Sequence, residues 1–147
     1  MTTAELRRDE TGSILPLTIF FGFLALVLVL LVVAASSLYL ERKRLFTLAD
    51  GAALVGAESF DLASVQQSAG GVRPLLESAD VADAVSGYIA GSAGSRFESL
   101  EVVRAESVDG RSATVELAAY WRPPVLSLLV PEGLRIEVTA VARSVFG

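Results

Sequence analysis

Between Thr11 and Leu40 the chain carries no charged residue, and Ile19 to Ala35 reads IFFGFLALVLVLLVVAA, with Gly22 as its one weak helix former. Apolar residues fall on every face rather than along one stripe, the pattern of a helix surrounded by lipid or by a large protein core. As a helix, these 30 positions reach about 45 Å at ~1.5 Å per residue. A hydrocarbon layer is about 30 Å thick. The rest of the chain is too short to enclose such a helix, so the pattern predicts a transmembrane span over 13–40. Its start is marked by capping residues at Thr11-Gly12-Ser13, with Pro16 in the first turn, where a missing N–H does no harm. Asp9 and Glu10 lie near the positive end of the helix dipole. At the far end Tyr39 stands at interfacial depth, just before Glu41-Arg42-Lys43-Arg44.

After the span the pattern changes from uniform to periodic. Leu45, Leu48, Ala52, Val55 and Ser59 recur at steps of three and four, which predicts a helix over 42–60 continuous with the span. Beside them runs a row of small residues, Ala49, Ala52, Ala53, Gly56 and Ala57, a candidate helix-packing face. Small residues at steps of four let another backbone approach closely, in a partner or in the chain's own sheet, which a small domain must cover with something. Gln66 to Pro74 carries two glycines and a proline and reads as a loop. A second helix is expected over 78–90, capped by Ser78, with Val81, Val85 and Ile89 as its stripe and Tyr88 at the edge.

Alternation with a period of two follows. Strands are expected over 100–106, 113–121 and 134–145. Asp109-Gly110 gives a tight two-residue turn between the first two, and Pro123-Pro124 stops the second. Ala113, Val115, Leu117, Ala119 and Trp121 share one face, as do Leu134, Ile136, Val138, Ala140 and Ala142. One apolar and one polar face describe an antiparallel sheet with one solvated side. The apolar run Val125 to Val130, bounded by Pro124 and Pro131, reads as a flap over the core edge, or as an exposed patch. The fold class is α+β: an N-terminal transmembrane helix continuing into a long helix, packed on a small three-stranded antiparallel sheet.

The chemistry of the chain is sparse. With 147 residues and 12 basic against 17 acidic side chains, the net charge is −5, and no basic stripe for a nucleic acid is visible. There is no Cys and no His, which removes disulfides, thiolate nucleophiles, the commonest general base and the commonest metal ligand. GSAGS at Gly91 to Ser95 follows a helix and precedes a strand, the wrong order for a phosphate loop. Asp80 and Asp83 share a helix face, where acidic residues usually complement the dipole. No catalytic residue, metal site, cofactor or small-molecule substrate is therefore expected.

Two questions stay open at this level. A signal peptide would also present Arg7 and Arg8 ahead of an apolar run, with cleavage after Val33-Ala34-Ala35 releasing a secreted or tethered binding domain. The run exceeds the 7–15 residues usual for such a peptide, which favours the anchor. Orientation is nearly tied, with Arg7, Arg8 and the α-amino group on one flank and Arg42, Lys43 and Arg44 on the other.

Arg8-Asp9-Glu10-Thr11-Gly12-Ser13 runs straight into the apolar helix. Tyr39-Leu40-Glu41-Arg42-Lys43-Arg44-Leu45 closes it, and Ala49-Asp50-Gly51-Ala52-Ala53-Leu54-Val55-Gly56-Ala57 follows. This order of charged tail, glycine-containing junction, span, basic stretch and alanine-rich run resembles the TadE/TadG-like pilus-assembly proteins of the tight-adherence (Flp-type) system. The segment Pro123 to Ala142 is loosely similar, and the junction and high arginine usage are similar to actinobacterial members. The resemblance implies a pilin-like fold and a single-pass protein of the cell membrane. Residues 1–12 would form a short cytoplasmic tail and residues 41–147 an extracytoplasmic domain. It also implies a non-enzymatic role, as a minor pilin-like or assembly-platform protein. Its partners would be membrane lipid and other pilus-assembly proteins or pilin subunits, met through helix–helix packing. Family members cut by a prepilin peptidase have Glu five positions after the junction glycine. Here Gly12-Ser13 is followed at that distance by Leu17, so the resemblance is nearer to the uncleaved, TadG-like type.

Overall fold

The computed structural model describes residues 3–59, 66–68, 71–73, 75–92, 96–123 and 131–143. The chain forms two compact units, Met1–Ser37 and Leu38–Gly147. Helix α1, Thr3–Ala57, is one uninterrupted element of 55 residues that passes through the boundary between them.

The first unit is the helix alone. From Ile14 to Val33 its large apolar side chains are exposed, apart from the half-buried Val27 and Leu30, and this is the one helix among the described residues long and apolar enough to cross a membrane. The helix starts at Thr3 and not at the expected cap at Thr11–Ser13, and Pro16 lies inside it. Ala4, Glu5, Leu6, Arg7 and Arg8 are good helix formers, so the helix extends well upstream of the proline. Pro16 forfeits one backbone bond to the turn before it. Two residues on, the Thr18 hydroxyl donates to the Ile14 carbonyl at 2.9 Å, one of the local adjustments that polar side chains make in apolar helices.

In the second unit, residues 38–57 of α1 are followed by a small hairpin, a second helix and a sheet. Strands β1, Gln66–Ser68, and β2, Gly71–Arg73, pair antiparallel. The stretch 66–74, expected as a loop, therefore contains a three-pair ladder. The pairs run from Gln66↔Arg73 to Ser68↔Gly71. Helix α2, Ser78–Gly91, follows.

Strands β3 (Glu98–Glu106), β4 (Ser112–Trp121) and β5 (Leu134–Arg143) form an antiparallel meander in that order. The β4–β5 register is regular over all ten pairs, from Ser112↔Arg143 to Trp121↔Leu134. β3 starts two residues earlier than its alternation suggests and is irregular, with register shifts between Glu98 and Glu101 and between Val102 and Arg104. Ser99, at φ 50°, supplies the left-handed residue in the first of these shifts. The expected end of β5 at Val145 and the run Val125 to Val130 lie outside the described residues.

The core is built as the alternation predicts on one side and from small residues on the other. Ala113, Val115, Leu117, Ala119 and Trp121 of β4 and Val138, Ala140 and Ala142 of β5 are buried. Leu45, Leu48, Ala49, Ala52, Ala53 and Ala57 of α1 and Val81 and Val85 of α2 belong to the same cluster. After Leu45 the buried positions of α1 come in adjacent pairs every four residues, 48/49, 52/53 and 56/57, a helical stripe facing a core. Of the two further residues expected on that stripe, Val55 sits half-buried at its margin, and Ser59 lies past the end of α1, which stops at Ala57 and not at the expected residue 60.

The opposite face of the sheet is a charged lattice. Arg104 pairs with Glu116 at 3.1 Å and with Glu106 at 3.6 Å, and Arg122 pairs with Glu98 at 3.1 Å. In register, Ala118 of β4 lies between Glu101 of β3 and Glu137 of β5. Arg135 contacts both carboxylates, at 3.4 Å from Glu101. A small residue at 118 leaves room for one arginine to span the three strands.

Candidate functional site

The row of small residues in α1 is the first candidate, and the structure places it inside the chain. Ala49, Ala52 and Ala53 are fully buried, Ala57 nearly so, and Gly56 is buried with them. A Cβ on Gly56 would stand 3.1 Å from Val81 Cγ1, 3.2 Å from Ala113 Cβ and 3.4 Å from Val85 Cγ2. Gly56 is thus the point where α1, α2 and β4 come together. A Cβ on Gly51 would run into the Tyr88 hydroxyl. Later residues of α2 meet earlier residues of α1, so the two helices cross in opposite directions. The face is filled by the chain's own α2 and sheet.

Helix α2 is held at its start by contacts the sequence pattern does not reveal. Ser78 is not its N-cap. Glu77 occupies that position in an extended conformation and makes no side-chain capping bond. The Ser78 hydroxyl instead accepts the Ser107 N–H at 3.2 Å and donates to the Ser107 carbonyl at 3.1 Å. Two residues earlier, the Leu76 N–H donates to the Gly110 carbonyl at 3.0 Å.

These contacts explain why Asp109-Gly110 is not a two-residue hairpin. The connection runs from Ser107 to Arg111, five residues between strand ends, and is clasped to the segment before α2. Within it the Asp109 carboxylate accepts the Arg111 N–H at 2.9 Å and the Ser112 N–H at 2.7 Å, and the Ser112 hydroxyl at 3.0 Å. The two backbone donors, Arg111 first, hold its carboxyl below the usual carboxylate range. Gly110, at φ 65°, completes the turn. This carboxylate forms the turn.

Gly12, Ser13 and Leu17, the candidate processing junction, all fall within α1. Asp80 lies in the first turn of α2, half-buried, with Asp83 exposed beside it.

Two grooves flank the segment of α1 just past the apolar span. One, of about 510 Å³, is lined by Glu41, Arg44 and Leu48 of α1, Tyr88 of α2, and Arg96 and Phe97 ahead of β3. The other, of about 490 Å³, sets Arg42, Lys43 and Phe46 of α1 against Glu116 and Glu137 of the sheet. Sequence reasoning found the basic stretch 42–44 but not Arg96, because only the fold brings residues 44 and 96 to one cavity. The one available signal was Gly51, a glycine inside a helix with no turn to make, which marks the seat of Tyr88.

No curated protein and no solved structure matches the chain significantly. Residues 12–59, which take in the whole apolar stretch and the buried face of α1 but not the sheet, match the family model of the TadE/G-like Flp pilus-assembly domain.

Proposed function

We propose that this chain is a non-enzymatic, single-pass component of Flp/Tad-type pilus assembly, anchored by its apolar helix with the α+β unit outside the cytoplasm. The single observation that carries this reading is the family match over residues 12–59. Physical support comes from the exposure of the large apolar residues from Ile14 to Val33, all but the half-buried Val27 and Leu30. Such a surface is stable in lipid, or against other apolar helices in an assembly. Because the small-residue face past the span is filled internally, packing on other pilus components falls to the apolar stretch itself. The roles of minor pilin and assembly platform differ in whether that stretch leaves the bilayer.

A second reading has its own observation. The boundary between the two units falls at Ser37, two residues beyond Ala35, and the first core residue is Leu45. A cut near Ala35 would release a domain that keeps its entire core, as a secreted binding module.

Intact mass separates these readings. The native protein is recovered from membranes, from sheared surface fibres and from medium. Full-length mass in membranes supports the anchored assembly role. Loss of residues 1–12 in the fibre fraction makes the protein a processed pilin-like subunit. Loss through Ala35, with the product in the medium, overturns the anchored reading. Deleting the gene in a piliated host is expected to reduce surface pili, and unchanged piliation would overturn the assembly role.

A further inference from the structure

We propose that the groove lined by Arg44 and Arg96 binds the phosphodiester headgroup of an anionic phospholipid; the proposal rests on α1 crossing a membrane. Arg44 lies four residues past Leu40, the last residue of the uncharged stretch, about 6 Å further along the helix. That is headgroup depth for a span ending at Leu40. The groove holds about 510 Å³, enough for a headgroup but not for a folded partner.

Its lining is matched to that ligand. Arg96 makes no hydrogen bond or ion pair among the described residues. Arg44 has a single partner, Glu41 at 3.5 Å, and its side chain is 71% exposed. An exposed ion pair of this length contributes little, so a phosphate displaces it at low cost. Arginine forks bind phosphate oxygens in pairs, with more directional strength than a lysine point charge. Leu48 is buried, while Tyr88 and Phe97 are half-buried. They give the cavity an apolar wall against which the glycerol end of a lipid can lie.

The neighbouring groove serves as an internal contrast. There Arg42 and Lys43 line the cavity together with Glu116 and Glu137, a formal sum of zero, with the two carboxylates themselves held by Arg104 and Arg135. With Glu41 counted, the Arg44–Arg96 groove keeps a net charge of +1, and its unpaired cation comes from a different element than its paired one.

The test uses the full chain in nanodiscs of equal parts phosphatidylcholine and phosphatidylglycerol, with retained lipids counted by native mass spectrometry. Phosphatidylglycerol is expected to be retained preferentially. The preference should fall about fivefold for Arg44→Gln or Arg96→Gln alone, and about 25-fold for the pair, taking each arginine as one near-surface basic contact. Arg111→Gln removes the same charge from the turn before β4 and should leave the preference unchanged. Emission from Trp121, the lone tryptophan, verifies that each variant is folded. An unchanged preference in the double variant overturns the proposal. So does an equal loss in Arg111→Gln, which would indicate net charge rather than a site. Displacement of the lipid by millimolar inorganic phosphate would mark a soluble-anion site and overturn the lipid assignment. A chain that fails to enter nanodiscs at all overturns the membrane anchor, a result seen before any lipid is counted.

Discussion

Gly56 and Gly87 both lie in helices, and replacing each with alanine separates packing from helix propensity. Alanine gains up to ~1 kcal/mol over glycine in a helix interior. A Cβ at Gly87 meets nothing within 4 Å, so Gly87→Ala should stabilise the domain by most of that amount. At Gly56 the new methyl meets three carbons at 3.1, 3.2 and 3.4 Å, on two different elements. Overpacking of this kind costs roughly 1–3 kcal/mol. The gain in propensity is smaller there, since α1 ends at Ala57. Gly56→Ala is therefore expected to lie between neutral and ~2 kcal/mol destabilising, below Gly87→Ala by ~1–3 kcal/mol. The readout is thermal unfolding of the full chain in detergent, followed by Trp121 emission; that side chain is only 7% exposed. The two variants should differ in Tm by at least about 4 °C. Equal stabilisation by both would mean that α1, α2 and β4 do not close on one another at Gly56, and the account of the core would fail with it.

Three other outcomes are expected by the same unfolding measurement. Leu117→Ala, at a fully buried position on the central strand, should cost about 2–5 kcal/mol. A loss below ~1 kcal/mol would contradict its place in the core. Ser78→Ala removes both bonds to Ser107 and should cost about 1 kcal/mol, whereas a helix-capping role would instead be rescued by aspartate at that position. The Asp109 carboxyl has its pKa lowered on folding, so its contribution is present above the unfolded value and is lost as pH falls through the folded one. Wild type should thus lose stability on acidification through the carboxylate range more steeply than Asp109→Ala, and parallel profiles would refute the turn-forming role.

The features legible in the sequence are those set by local pattern. Uniform apolarity from Ile19 to Ala35 marks a helix that stays exposed, and alternation from Ala113 to Trp121 gives both the strand and its buried face. The small-residue row was visible too, with two possible destinations, and only the fold shows that Val81, Val85 and Ala113 fill it. What local pattern does not contain is long-range pairing. Ser78 has the residue type of an N-cap, but its hydroxyl is taken by a backbone group 29 residues away. Asp109-Gly110 has the signature of a two-residue turn, but Leu76 holds the Gly110 carbonyl and the connection widens to five residues. Pro16 reads as a boundary, yet α1 starts at Thr3, since an apolar helix can carry a proline in its interior. The Arg44–Arg96 groove joins residues 52 positions apart, beyond the reach of any periodicity.

The clasp between the β3–β4 connection and the lead-in to α2 also bears on the order in which the domain forms. A hairpin closed by a tight turn zips from its own tip in microseconds. Here the local Asp109 bonds shape the tip, but its clasp forms only when Leu76 and Ser78 arrive from a separate part of the chain, and that arrival requires loop closure before any contact rewards it. Pairing of β4 with β5 has no such dependence. The sheet should therefore grow from its β4–β5 side, with β3 registering last, and a peptide of residues 98–121 alone should not hold the hairpin that the whole domain holds.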